Sequence, residues 1–314
     1  MKCKALIISL KGSKLTKKEK ILLSKEKPWG VILFKRNLKT YKQIKNLTTQ
    51  IKELTKNNKF PILIDEEGTS VSRLSRIIKH DISAYYFGSL FKENKYLCIK
   101  VYKHYINSLS KILKDLGFNI NTIPVLDILR KNTNKIIGNR SFSRDKKIVK
   151  DLGKLTIKFL HSNKIAGVIK HIPGHGASSV DSHKRMPKIL NSLKRLDEND
   201  FYPFKDSKAK FAMTAHILFS KIDNKNVATF SKKIISNIIR KKMKYRGVII
   251  SDDISMKALK YDLINNAKKS LEAGCNLVLY CSGKTNDNLR LIKSVPYIDK
   301  FTIKKTSEFF KFLR

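Results

Sequence analysis

The sequence predicts an α/β protein built as a single (β/α)8 TIM-type barrel. Two observations carry that expectation. Eight short apolar runs recur along the chain, most of them without polar alternation, which is the pattern of strands buried on both faces of a parallel sheet. Segments of helical period lie between them, and eight such units over about 280 residues fit a closed barrel. A doubly wound open sheet is the alternative that strand counting leaves open.

Taken in order, the strand candidates are 4–10 (KALIISL), 30–34 (GVILF), 61–65 (PILID) and 118–121 (FNIN). The second half adds 166–170 (AGVIK), 210–214 (KFAMT), 247–251 (GVIIS) and 276–280 (NLVLY). Helical spacing marks 40–56, 95–116, 145–163, 231–243 and 255–273. In the last of these Met256, Leu259, Leu263, Ala267 and Leu271 fall on one helical face. Gly117, Gly167, Gly247 and Gly274 stand just before strands, where a glycine helix cap is expected. The segment 298–314 reads as a terminal helix on the outside. The long loops are expected after the fifth and sixth strands, at 172–192 and 215–230, at the end of a barrel where sites are built. No Pro/Gly/Ser-rich linker divides residues 1–314, so one domain is expected.

Composition narrows the class. Hydrophobic residues make up 41% of the chain, which argues against disorder. Lys plus Arg number 67 against 25 Asp plus Glu, a formal charge of +42. Such a charge attracts polyanions, but lysine is spread through the whole chain and no nucleic-acid-binding signature accompanies it. It is read as solvated surface. Cys3, Cys98, Cys275 and Cys281 show no CxxC spacing and read as reduced thiols. The apolar run Ala5–Leu10 is too short for a signal peptide. Nothing approaches the roughly 18 apolar residues of a membrane span. A cytoplasmic protein is expected, acting as a monomer without membrane contact or a specific nucleic-acid partner.

Ionisable residues gather at the ends of the predicted strands. The third ends in Asp65, followed by Glu66 and Glu67. The fourth runs into Pro124 and Asp127, the fifth ends in Lys170 and His171, the sixth reaches Thr214 and His216, and the seventh ends in Ser251, Asp252 and Asp253. Any one of them could be a helix cap; five strands together point to a site at one rim. His171 and His175 are four apart, but Pro173, Gly174 and Gly176 break the helix that a zinc pair at that spacing needs. Asp181 and His183, two apart, form the kind of pair in which a carboxylate orients an imidazole and raises its basicity. A carboxylate in the 251–253 run could be nucleophile, base or metal ligand; spacing alone does not choose.

With these motifs in hand, the chain resembles the bacterial β-N-acetylhexosaminidases of glycoside hydrolase family 3. The similarity runs from about residue 5 to 285 and rests on GVILFKRN (30–37), IDEEGTSVSRL (64–74), PVLDI (124–128), IGNRSFSRD (137–145), KHIPGHGASSVDSH (170–183), MTAHI (213–217), SDDISM (251–256) and AGCNLVLYC (273–281). The resemblance implies a retaining exo-β-N-acetylglucosaminidase without cofactor or metal. Its substrate would be a small carbohydrate, a cytoplasmic muropeptide with terminal β-linked GlcNAc on an anhydro-muramyl residue, and its role peptidoglycan recycling. Matched motif by motif, Asp252 takes the place of the nucleophile rather than Asp253, and His183 that of the general acid/base, with Asp181 as its partner. Asp65, Arg73, Arg140, Lys170 and His171 match positions that grip the sugar; His216 and Asp127 are further candidates. A retaining enzyme needs a nucleophile on one face of the anomeric carbon and an acid/base on the other, usually a second carboxylate. Here a histidine would take that role. Where the family usually reads Asp-Gln-Glu-Gly-Gly-Arg, this chain has Asp65-Glu66-Glu67-Gly68-Thr69-Ser70, and Asn139 stands where Glu is common. A phosphorylase, or a catalytically weak barrel binding sugar or polyanion, are the competing functions. Asp252, Asp181 and His183, all present, favour hydrolysis.

Overall fold

Alternation along the first strand sets the architecture. In β1 (Lys4–Ser9) Ala5 and Ile7 join an inner cluster, while Leu6 and Ile8 join an outer one. Both sides of the strand are therefore buried, one inside a barrel and one beneath a helical layer. The computed structural model describes residues 2–79, 81–130, 137–178 and 186–314.

The remaining strands are β2 (Pro28–Leu33), β3 (Ile62–Ile64), β4 (Ile120–Asn121), β5 (Ala166–Ile172), β6 (Lys188–Ile189), β7 (Phe211–Thr214), β8 (Leu218–Phe219), β9 (Val248–Asp253) and β10 (Leu277–Leu279). Eight of them close a barrel in the order β1-β2-β3-β4-β5-β7-β9-β10, every pair parallel. The open sheet is thereby excluded. The eight apolar runs supply the eight barrel strands. β6 and β8 form a separate two-stranded parallel sheet. It ties together the two loops expected to be long.

Helices cover the barrel: α1 (Lys17–Ile21), α2 (Tyr41–Leu54), α3 (Ala84–Glu93), α4 (Lys95–Asp115), α5 (Lys146–Ser162), α6 (Leu193–Glu198), α7 (Leu263–Ala273), α8 (Thr285–Ser294) and α9 (Lys300–Phe312). The segment Ile234–Lys242 is π-helical. Among the described residues no helix is long and apolar enough to cross a membrane.

Four sequence expectations need correction. The helix expected over 255–273 begins only at Leu263, because the Asp262 carboxylate accepts the Ile264 and Asn265 N–H groups and caps it there. Met256 and Leu259 are buried in the turns before it. Of the four glycines, Gly117 and Gly274 have positive φ at helix ends, whereas Gly167 lies inside β5 and the left-handed residue after the π-helix is Lys244. The terminal helix does more than pack outside: α9 stoppers the N-terminal mouth of the barrel. Phe309 sits 5.3 Å from the Phe211 ring, and Trp29 Nε1 donates to Thr306 Oγ1 at 2.9 Å. Finally, the connections after β3 and β4 are also long, covering 65–83 and 122–145, and both carry residues of the site.

Candidate active site

The site is assembled at the C-terminal ends of the strands. β3 delivers Asp65 and the acidic pair behind it. Asn121, at the end of β4, fixes that turn by accepting the Glu66 N–H at 3.0 Å and donating to the Glu66 carbonyl at 2.9 Å. The buried Glu66 carboxylate accepts the N–H groups of Arg73 and Leu74 at 2.7 and 2.8 Å, which folds the loop back and returns Arg73 to Asp65.

A cavity of about 380 Å³ opens there, lined among others by Asp65, Glu67, Arg73, Arg140, Lys170, His171, His175 and Asp252. Arg73 Nη2 donates to Asp65 Oδ2 at 3.0 Å. Lys170 Nζ lies 3.2 Å from Asp65 Oδ1 and 2.6 Å from Glu67 Oε1. Arg140 grips Glu67 with two bonds, Nε to Oε2 at 2.6 Å and Nη2 to Oε1 at 2.9 Å. Thr122 also donates to Asp65. Burial on its own would raise the Asp65 and Glu67 pKa values. Lys170 and Arg73 reverse this for Asp65 and hold it well below the usual carboxylate range. Arg140 and Lys170 do the same for Glu67, bringing it to about 2.

Asp252 forms the opposite wall, on β9. Burial opposes its ionisation, but the neighbouring His216 and His171, with the Asp253 N–H at 2.8 Å, hold its pKa below the ordinary value. Asp253 differs. Its carboxylate accepts the Ser255 and Cys281 N–H groups, both at 3.1 Å, and ties β9 to the end of β10. Burial raises its pKa. The adjacent acids thus have separate surroundings, and of the two it is Asp252 that lines the cavity.

Asp127 and His216 lie behind the wall. Asp127, fully buried, accepts the His171 Nδ1–H at 2.7 Å and the His175 N–H at 2.6 Å. His216 is also buried and faces Thr229 and the Asp253 carbonyl. His171 and His175 stand with ring centroids 5.7 Å apart, the former held by Asp127. Burial lowers the His175 pKa to about 4. Among the described residues no three His, Cys, Asp or Glu side chains form a metal-ligand set. Asp181 and His183 lie outside the described residues. The chain on either side is tied down: His175 to Asp127 before them, and β6 to β8 after them.

A family model described as Glycosyl hydrolase family 3 N terminal domain matches residues 2–305. The chain belongs to this family. It is a glycoside hydrolase. A protein of Nitrosomonas eutropha named Beta-hexosaminidase is 31% identical over 282 residues, covering 88% of this chain and 80% of that one. A Beta-hexosaminidase of Haemophilus influenzae is 31% identical over 306 residues, 93% of this chain and 85% of that one. Among solved structures, NagZ from Neisseria gonorrhoeae in complex with N-trifluoroacetyl-D-glucosamine superposes with a TM-score of 0.89 at 27% identity. The match covers 100% of this chain and 91% of that one.

Thr69 and Ser70 touch Asn139. Ser70 Oγ donates to Asn139 Oδ1 at 2.6 Å, and Asn139 Nδ2 donates to Thr69 Oγ1 at 3.1 Å, so a neutral bridge joins the β3 and β4 loops at the cavity rim. Glu67 and His175 line the cavity, although from the sequence Glu67 reads only as a strand-end acid and His175 is weighed only as a zinc ligand. For Glu67 the available signal was an acidic residue two past a strand-end aspartate; its partner Arg140 lies 73 residues away.

Proposed function

We propose that this glycoside hydrolase is a retaining exo-β-N-acetylglucosaminidase, a single catalytic barrel over residues 1–314, working in the cytoplasm as a monomer without a cofactor. Its substrate is a muropeptide fragment, GlcNAc β-linked to an anhydro-muramyl peptide, and its role is cell-wall recycling. One observation carries the reading: Asp252, its pKa held below the ordinary value, lines a cavity of about 380 Å³ across from a cradle of paired cations and carboxylates. The relatives named Beta-hexosaminidase, and the N-acyl glucosamine held by the neisserial NagZ, support GlcNAc as that ring.

In this reading Asp65 accepts sugar hydroxyls, Arg73, Arg140 and Lys170 donate to the sugar's oxygens, and His171 meets the sugar through its second ring nitrogen. Glu67 holds Lys170 and Arg140 in register. Asp252 attacks the anomeric carbon to form a glycosyl-enzyme, and His183, oriented by Asp181, protonates the departing oxygen. The same imidazole then deprotonates the water that cleaves the intermediate. A histidine suits this exchange because its pKa lies near neutral pH.

The test compares turnover of a nitrophenyl β-N-acetylglucosaminide with that of the matching β-glucoside. The product's first-formed anomer is followed by proton NMR, and a purified muropeptide serves as the natural substrate. The reading expects GlcNAc release from the first and third, a far slower glucoside, and initial formation of the β-anomer. Equal use of both nitrophenyl glycosides would refute the substrate assignment, and an initial α-anomer would refute retention.

A further inference from the structure

Behind Asp252 runs a chain of hydrogen bonds with no sugar-binding duty. His216, 1% exposed, follows β7. Its Nε2 lies 3.0 Å from the Asp253 carbonyl oxygen and its Nδ1 2.7 Å from Thr229 Oγ1. Thr229 Oγ1 lies 2.8 Å from Thr214 Oγ1, and Thr214 Oγ1 accepts the Asp252 N–H at 3.4 Å.

The donors can be assigned by elimination. A carbonyl only accepts, so His216 Nε2 carries a proton. Burial lowers the ring's pKa and so favours its neutral form. Nδ1 is then bare and accepts the Thr229 O–H. A hydroxyl has one proton, so Thr229 receives its bond from Thr214, whose oxygen receives the Asp252 N–H. The Ala215 carbonyl competes for the Thr229 proton only at a longer 3.2 Å. The chain therefore leaves β9 at the Asp252 N–H and returns to it at the Asp253 C=O, bracketing the Cα that carries the Asp252 carboxylate.

We infer that Thr214, Thr229 and His216 are positioning residues, a proton-ordered relay that fixes the backbone on both sides of Asp252 and aims its carboxylate at the anomeric carbon. The inference rests on the reading of Asp252 as nucleophile. Thr229 supplies the relay from the turn Ala228–Phe230, so a segment outside the barrel sheet controls the aim.

The experiment uses Thr229→Val, which keeps the shape and removes the hydroxyl, and Thr229→Ser, which restores it. Both are assayed on the nitrophenyl β-N-acetylglucosaminide, beside nitrogen-15 histidine NMR of the full chain. Since small misplacements of a reacting group cost up to about 100-fold, Thr229→Val should lower kcat by about 10- to 100-fold with KM within about twofold. Thr229→Ser should recover to within about threefold of wild type, because its hydroxyl remakes both bonds. Wild-type His216 should be the Nε2–H tautomer, set by the Asp253 carbonyl, and Thr229→Val should keep that tautomer but shift the Nδ1 resonance as that nitrogen loses its hydrogen-bond donor. An unchanged kcat, a KM effect as large as the kcat effect, failure of Ser to rescue, or a wild-type Nδ1–H tautomer would each overturn the relay. If Thr229→Val does not fold, Thr214→Val breaks the same chain at the next joint and is judged by the same outcomes. If wild type releases no GlcNAc, the proposed function fails, and the tautomer spectrum still decides the relay.

Discussion

Glu67→Gln removes one charge from the centre of the cradle and nearly nothing else. The side chains concerned are almost wholly buried: 5% exposed for Glu67, 3% for Lys170 and 11% for Arg140. The Glu67 carboxyl falls from an ordinary 4.5 to about 2, burial being outweighed by Arg140 and Lys170. At 1.36 kcal/mol per pH unit that gap is worth about 3 kcal/mol. Breaking a buried ion pair by removing one member costs roughly 3–5 kcal/mol in comparable cases, so two routes give one magnitude. For a chain of this length 3 kcal/mol corresponds to about 5 °C in Tm. Glu67 has a depressed pKa, so its contribution is fully present above the ordinary carboxylate value and is lost as pH falls from about 4.5 towards about 2. Thermal melts followed by circular dichroism should show the full gap between wild type and Glu67→Gln at about pH 7 and a much smaller one near pH 3. Activity should fall as well, with KM rising about tenfold or more as Lys170 and Arg140 lose their anchor. A gap under about 1 °C at neutral pH, or one of equal size at both pH values, would refute the claim that Glu67 is an ionised keystone.

Asp252→Ala should abolish turnover while leaving sugar binding by calorimetry largely intact, whereas Asp253→Asn, which keeps acceptors for Ser255 and Cys281, should retain substantial activity; the reverse order would move the nucleophile. His183→Ala should slow natural substrates far more than a nitrophenyl glycoside, whose leaving group departs without a proton, and azide should rescue breakdown of the intermediate. Equal slowing of both substrates with no rescue would remove His183 from that role. Chelator should leave activity unchanged, since Asp127 already holds His171 Nδ1 and both His216 nitrogens are engaged; loss of activity restored by zinc would contradict this.

Most of the strands were legible because a barrel strand is buried on both sides and so reads as an unbroken apolar run; β4, read from FNIN, alternates instead. The same logic explains the misreading at 255–273. Met256 and Leu259 fit the helical period of Leu263 and Leu271, yet periodicity reports which side chains are buried, not which backbone is helical. A buried turn meets the same condition, and only the Asp262 cap marks where the helix begins. β6 and β8 are two residues each, too short to show any period.

The site divides along a similar line. Asp65, Lys170 and Asp252 could be picked out because each is a charge at the end of an apolar run, and a charge placed there has to face the barrel mouth. Glu67, Thr214 and Thr229 carry no such mark. Glu67 acquires its role from Arg140 and Lys170, which barrel closure brings to it from two other loops. The threonines acquire theirs from a direction of proton donation that exists only once His216 is buried against the Asp253 carbonyl. The positive excess of the chain misleads least of all here. Asp65, Glu67 and Asp252 line the cavity together with Arg73, Arg140 and Lys170, so the lining is locally near neutrality and the surplus lysines lie elsewhere. Catalytic chemistry on a sugar requires such local pairing, because an unpaired buried charge of either sign would be costly and would bias the Asp252 carboxylate. A formal charge counted over the whole chain therefore says little about the one place where charge has to be balanced.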